Sequence, residues 1–131
     1  MIRVTVTEPG LSARVSRFSQ TIIAIGRDGQ NDVVLREPSV SAHHGRLRIA
    51  DDMLMYDDLL STNGSLVRRS GVLLRVDQRC LHQIQLERQD ELLFGPPGQP
   101  TVLRVVLARP REQFPSPMAS RELPWDGWPR R

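Results

Sequence analysis

Apolar and polar residues alternate along Ile2–Thr7, with Ile2, Val4 and Val6 on one parity, until Glu8-Pro9-Gly10 breaks the run. A period of two predicts a half-buried strand followed by a turn. Ala13–Phe18 repeats the alternation more weakly, and the β-branched run Thr21–Ile25, closed by Gly26, predicts a buried strand. Val33–Leu35 forms a short strand between the polar loop Arg27–Asp32 and the stop at Pro38. Gly45–Ala50 and Leu54–Asp57 flank Asp51-Asp52, a hairpin turn by composition. Further strands are expected at Ser65–Val67, Val72–Leu74, Ile84–Leu86, Glu91–Phe94 and Thr101–Ala108, the last after the punctuation GPPGQP. No segment carries a sustained helical period or a capping box ahead of an apolar stripe. Ten to eleven short strands with frequent turn signals predict an all-β sandwich.

A chain of 131 residues fits one domain and needs no disulfide or metal to hold a core. The single cysteine, Cys80, can form neither an internal disulfide nor a paired-cysteine metal knuckle. No apolar run reaches the roughly 18–20 residues that span a bilayer. MIRVTVTEPG has no apolar leader. These features predict a cytoplasmic protein with no membrane partner. All eighteen basic residues are arginine, against fifteen acids, so the formal net charge is only +3. They are scattered among acids, whereas a nucleic-acid binder clusters them, and only six aromatics are available for stacking. No nucleic-acid partner is expected.

The composition shifts at Pro110. Five of the ten prolines and both tryptophans fall in residues 110–131, which predicts a tail or linker after a domain spanning residues 1–109. The alternative for this segment is that Trp125 and Trp128 dock on the body or on a partner.

Three loops between predicted strands hold the residues of chemical interest. They are Gly26-Arg27 with Asn31-Asp32, the run Pro38–His44, and Asp58–Ser65. Together they offer a guanidinium, several hydroxyls, an amide and small residues that expose backbone N–H groups. Donors without a nearby base suit holding an anion better than breaking a bond. Ser41 and His44 imitate a nucleophile–base pair, but no nucleophile elbow accompanies them, so no catalytic residue is assigned. His43 and His44 are adjacent on an extended chain and point to opposite faces, which argues against a shared metal. Asp57-Asp58 fails as an acid–base pair for the same reason and reads as a strand end. No metal or other cofactor is expected.

The ordered string GR-x4-DV-x5-S-x-S-x2-H, followed by YDDL-x-STNGS-x-V, resembles the forkhead-associated (FHA) domain, a phosphothreonine-binding module. The likeness runs from about Ile2 to Leu107 and is strongest from Gly26 to Val67; Gln89–Gly95 resembles the family's late strand entry. It implies two packed, twisted, mostly antiparallel sheets with a peptide held by loops at one end. It assigns Arg27 as the guanidinium ligand of the phosphate, Ser41 and Thr62 as hydroxyl donors, and Asn63 as the amide gripping the peptide backbone. Gly26 and Gly64 would permit tight loop turns, Gly64 with a positive φ, and His44 would brace the loops without touching ligand.

Ala42 departs from the family, which often has a donor side chain there; its backbone N–H remains available to phosphate. Ser65 replaces the usual threonine and Arg68 a frequent asparagine. The resemblance therefore predicts a non-enzymatic reader of phosphothreonine proteins in Ser/Thr-kinase signalling or scaffolding. The alternative is a phospho-independent interaction domain at the amino terminus of a larger transcriptional or secretion-associated regulator.

Overall fold

A computed structural model describes residues 1–108; the Pro110–Arg131 segment, with Trp125 and Trp128, lies outside the described residues. Eleven strands form: β1 (Ile2–Thr7), β2 (Arg14–Phe18), β3 (Ile22–Gly26), β4 (Val33–Val34), β5 (Gly45–Ala50), β6 (Met53–Asp58), β7 (Leu66–Arg69), β8 (Val72–Arg75), β9 (Gln83–Gln85), β10 (Glu91–Phe94) and β11 (Thr101–Leu107). One 3-10 turn, Gln78–Cys80, is capped by the Asp77 carboxylate, which accepts from the Arg79 N–H at 3.0 Å.

The strands make two sheets, ordered β2-β1-β11-β10-β7-β8 and β4-β3-β5-β6-β9. All pairs are antiparallel except β3 with β4. Alternation decides which side of each strand is buried. Ile2, Val4 and Val6 of β1, Leu92 and Phe94 of β10, and Leu103 and Val105 of β11 face inward from the six-stranded sheet. Ile23, Ile25, Leu47 and Tyr56 meet them from the five-stranded sheet, and Tyr56 and Phe94 pack edge to face with centroids 6.2 Å apart.

One expectation needs correction. The run at residues 21–25 is half-buried, because Ile22 lies on the outer face and is 54% exposed. The hydrophobic run signalled a strand, but periodicity cannot separate a two-sided burial from a one-sided one over five residues. Asp57 and Asp58 end β6 as expected, and both are buried. Each has a partner set that sequence spacing conceals. Asp57 Oδ2 accepts from Arg46 Nε at 2.8 Å and Arg48 Nε at 2.6 Å.

The Asp51-Asp52 turn is as expected, with φ of 52° and 64° at the two positions. Both central residues in the left-handed region match the twist of a two-residue hairpin, and aspartate tolerates it.

Candidate phosphopeptide site

The loops after β3, β4 and β6 meet at one end of the sandwich. Three backbone bonds join the first two: Arg27 N–H to Ser41 O at 3.0 Å, Asp28 N–H to Ala42 O at 3.2 Å, and His44 N–H to Ile25 O at 3.0 Å. Asn31, buried, adds its Nδ2, which donates to Ala42 O at 2.7 Å and to Asp28 O at 2.8 Å. A Cβ built on Gly26 would lie 2.2 Å from Ala42 O and 2.8 Å from Asn31 Nδ2. Gly26 is thus required by close approach of two loops. It ends β3, and its φ is not among the positive ones.

The third loop is tied to the second by Thr62 N–H, which donates to Ser41 Oγ at 3.0 Å, and by Asn63 Nδ2, which donates to Ser39 O at 2.8 Å. Ser41 Oγ accepts here, so its own hydrogen is still available to an anion. Arg27 is exposed, with Nε donating to Val40 O at 3.0 Å. Its two terminal amino groups have no partner among the described residues. Ala42, Thr62 and Asn63 are exposed beside it, and Ser41 is half-buried. Gly64 turns the loop with φ of 76°.

His44 lies beneath these loops, 1% exposed, edge-on to the Phe94 ring at 5.0 Å. Its Nδ1 accepts from Ser41 N–H at 3.1 Å, which leaves the hydrogen on Nε2 to donate to Gly64 O at 2.9 Å. The imidazole therefore touches the Ser41 backbone and not its hydroxyl. Burial pushes its pKa below the usual histidine range, against the opposing pull of the Gly64 bond and the Asp58 charge.

Sequence reading missed Asp58 as an organiser of the third loop. Its Oδ1 accepts from Ser61 Oγ at 2.6 Å and Ser65 Oγ at 2.7 Å, and its Oδ2 from Ser61 N–H at 3.0 Å. Tyr56 OH completes the chain at 2.7 Å from Ser65 Oγ. An aspartate three residues before a serine is a local capping signal that could have suggested it. Asn31 carried no comparable signal, because its partners lie eleven residues away or are backbone.

The FHA domain family model matches residues 23–95, more than half of the chain and all three loops. The chain belongs to the FHA family. That family is one of protein-interaction modules. The N-terminal FHA domain of S. cerevisiae Rad53p, solved in complex with a phosphothreonine peptide, is 20% identical with a TM-score of 0.64, over 86% of this chain and 97% of that one. The FHA domain of CT664 from Chlamydia trachomatis is 21% identical with a TM-score of 0.60, over 80% and 95%. The FhaA FHA domain complexed with the intracellular domain of Rv3910 is 19% identical with a TM-score of 0.58, over 81% and 100%. At these identities the likeness establishes the fold. No protein of curated function matches the chain.

Within the FHA frame, the structure brings Arg27, Ser41, Ala42, Thr62 and Asn63 to one surface, and sets Gly26, His44 and Gly64 under or between them. Among the described residues there is no group of histidine, cysteine and acidic side chains able to hold a metal, and no helix is long and apolar enough to cross a membrane.

Proposed function

We infer that this FHA domain, residues 1–109, recognises phosphothreonine in a partner protein modified by a Ser/Thr kinase, in the cytoplasm and without catalysis. One observation carries the reading: an exposed Arg27, held by its Nε, stands beside a Ser41 hydroxyl, and among the described residues neither its terminal amino groups nor the hydroxyl hydrogen has a partner. A guanidinium and hydroxyl with no carboxylate between them match a phosphate dianion. Thr62 adds a second hydroxyl, the backbone N–H of Ala42 a further donor, and Asn63 Oδ1 and its remaining N–H a grip on the peptide backbone. Catalysis has no support in the geometry, because His44 spends Nδ1 on the Ser41 amide and cannot take a proton from its hydroxyl. The Rad53p domain, which holds a phosphothreonine peptide on the same fold, supports the same use.

The test is calorimetric titration with a phosphothreonine peptide library beside its unphosphorylated copy and a phosphoserine copy. The reading expects binding of the phosphothreonine set alone, or at least tenfold above the others. Equal binding of phosphorylated and unphosphorylated sets would replace it with the phospho-independent alternative.

A further inference from the structure

On both outer faces of the sandwich, arginines are clamped in pairs by one acid. On the five-stranded sheet Arg46 and Arg48 share Asp57. On the six-stranded sheet Glu91, on the middle strand of three, sits opposite Arg68 on one side and Arg104 on the other and bonds both, at 2.6 and 2.7 Å. A third arginine pair breaks this pattern. Arg3 of β1 lies directly opposite Arg17 of β2 on the outer face of the six-stranded sheet. Both are exposed, and neither has a hydrogen bond or ion pair among the described residues. Like charges facing each other across two strands repel. This pair is a clamp without its acid.

The imbalance extends over the face. Registers place Arg3, Arg17, Arg68, Arg75 and Arg104 on it, with Glu91 as the sole acid. The rest of residues 1–108 carries eight arginines against eleven acids, of which Glu8, Asp57, Asp58 and Asp90 are buried. The described body is therefore polar in charge, its positive side a sheet face away from the recognition loops. Between the guanidiniums stand apolar side chains, with Val15 49% and Leu73 57% exposed. Among the described residues no aromatic projects from the face, so they offer no platform for stacking bases. Arginine is enriched at protein–protein interfaces, and here it is interleaved with exposed aliphatic side chains.

We propose that the outer face of the six-stranded sheet docks an acidic segment of a partner protein, a carboxylate of which completes the Arg3–Arg17 clamp. The planar guanidinium forks suit carboxylate geometry. Docking here would act beside the loops and does not depend on what they bind.

The probe is a ten-residue polyglutamate peptide, titrated into the full chain labelled with nitrogen-15, with a DNA duplex as competitor. Amide shifts are expected along Ile2–Thr7, Arg14–Phe18 and Thr101–Leu107, and the affinity should fall as salt rises. Arg3→Glu with Arg17→Glu should weaken the peptide at least tenfold while leaving the unfolding midpoint and phosphothreonine titration as they were. Should charge reversal disturb β1–β2 pairing, Arg3→Ser with Arg17→Ser repeats the test and should also weaken binding. Shifts confined to residues 27–44 and 59–65, or affinity unchanged in a folded double variant, would overturn the proposal. So would a duplex that binds this face more tightly than the peptide.

Discussion

His44 Nε2 donates to the Gly64 carbonyl at 2.9 Å, so one buried imidazole ties the second recognition loop to the third. Its other nitrogen already accepts from Ser41 N–H. Only the neutral ring can do both. Because burial depresses its pKa in the fold, the unfolded chain takes the proton first as pH falls. The stabilisation is complete above the ordinary histidine value of about 6.5 and is lost as pH drops below it. Thermal melts of the unliganded protein between pH 7.5 and 5.0 should show the loss. His44→Ala should lower stability by about 1–3 kcal/mol, since it strands the Ser41 amide and the Gly64 carbonyl, and should remove that part of the pH dependence. A variant with unchanged melting but no phosphopeptide binding would show that His44 contacts ligand.

Two glycines of the site should respond to alanine for different reasons. At Gly26 the new methyl meets a backbone carbonyl at 2.2 Å, and backbone cannot move aside cheaply. Gly26→Ala should separate the first two loops, cost more than about 2 kcal/mol and abolish peptide binding. At Gly64 nothing lies within 4 Å, but φ is +76°. Gly64→Ala should cost only about 1–2 kcal/mol, from backbone strain. Chemical denaturation of both variants checks the ranking; a Gly64 variant less stable than the Gly26 one contradicts it.

Asp57 gives the fold an acid-sensitive clamp. Burial alone would raise its pKa, but the hydrogen bonds and charges of Arg48 and Arg46 outweigh burial and hold it below the usual carboxylate range. A depressed acid stabilises the fold above its unfolded value, about 4, and the contribution fades as pH falls through the lower folded value. Asp57→Asn should lower the melting temperature at pH 7 and flatten the acid limb of the stability curve. An acid limb identical to the parent's would assign that limb to Glu8, Asp90 and Glu91 instead.

Strands were legible wherever one face is buried and the other wet. Ile2–Thr7 and Gly45–Ala50 begin and end where alternation places them, and Glu91–Phe94, buried at three of its four residues, also keeps its expected bounds. Edges and loop starts were less so: Gln83–Gln85 begins one residue before its apolar signal, and Leu66–Arg69 one residue after. The ligand loops could be recognised from ordered motifs, but not what holds them. Asp58 works within its own loop, through Ser61 and Ser65, but Asn31 and the overlap at Gly26 act through contacts between loops apart in sequence. Residue type alone gives no clue to such partners. Gly45 is similar, since a Cβ there would meet Tyr56 OH at 2.2 Å, and nothing in the run GRLRIA marks it.

Arg27 and Ala42 allow the phosphate reading to be driven in both directions. Arg27→Ala removes the one guanidinium that, among the described residues, is left free beside Ser41, and should cost at least ~2 kcal/mol of binding, a thirtyfold loss or more. Within the described residues its side chain bonds only the Val40 carbonyl, on the surface, and the backbone bond to Ser41 survives the substitution, so thermal stability should change little. Ala42 is exposed and its carbonyl, not its side chain, ties the loops together. Ala42→Arg can therefore extend a second guanidinium over the site without disturbing that staple. It should tighten a phosphothreonine peptide by a few- to tenfold, with steeper salt dependence because one more charge faces the dianion. Calorimetry with one peptide in phosphorylated and unphosphorylated form measures all four cases. Opposite shifts confined to the phosphorylated peptide support Arg27 as its ligand. If Arg27→Ala leaves both peptides bound as before, the phosphate is held elsewhere or not at all, and Ala42→Arg should then bring no gain either.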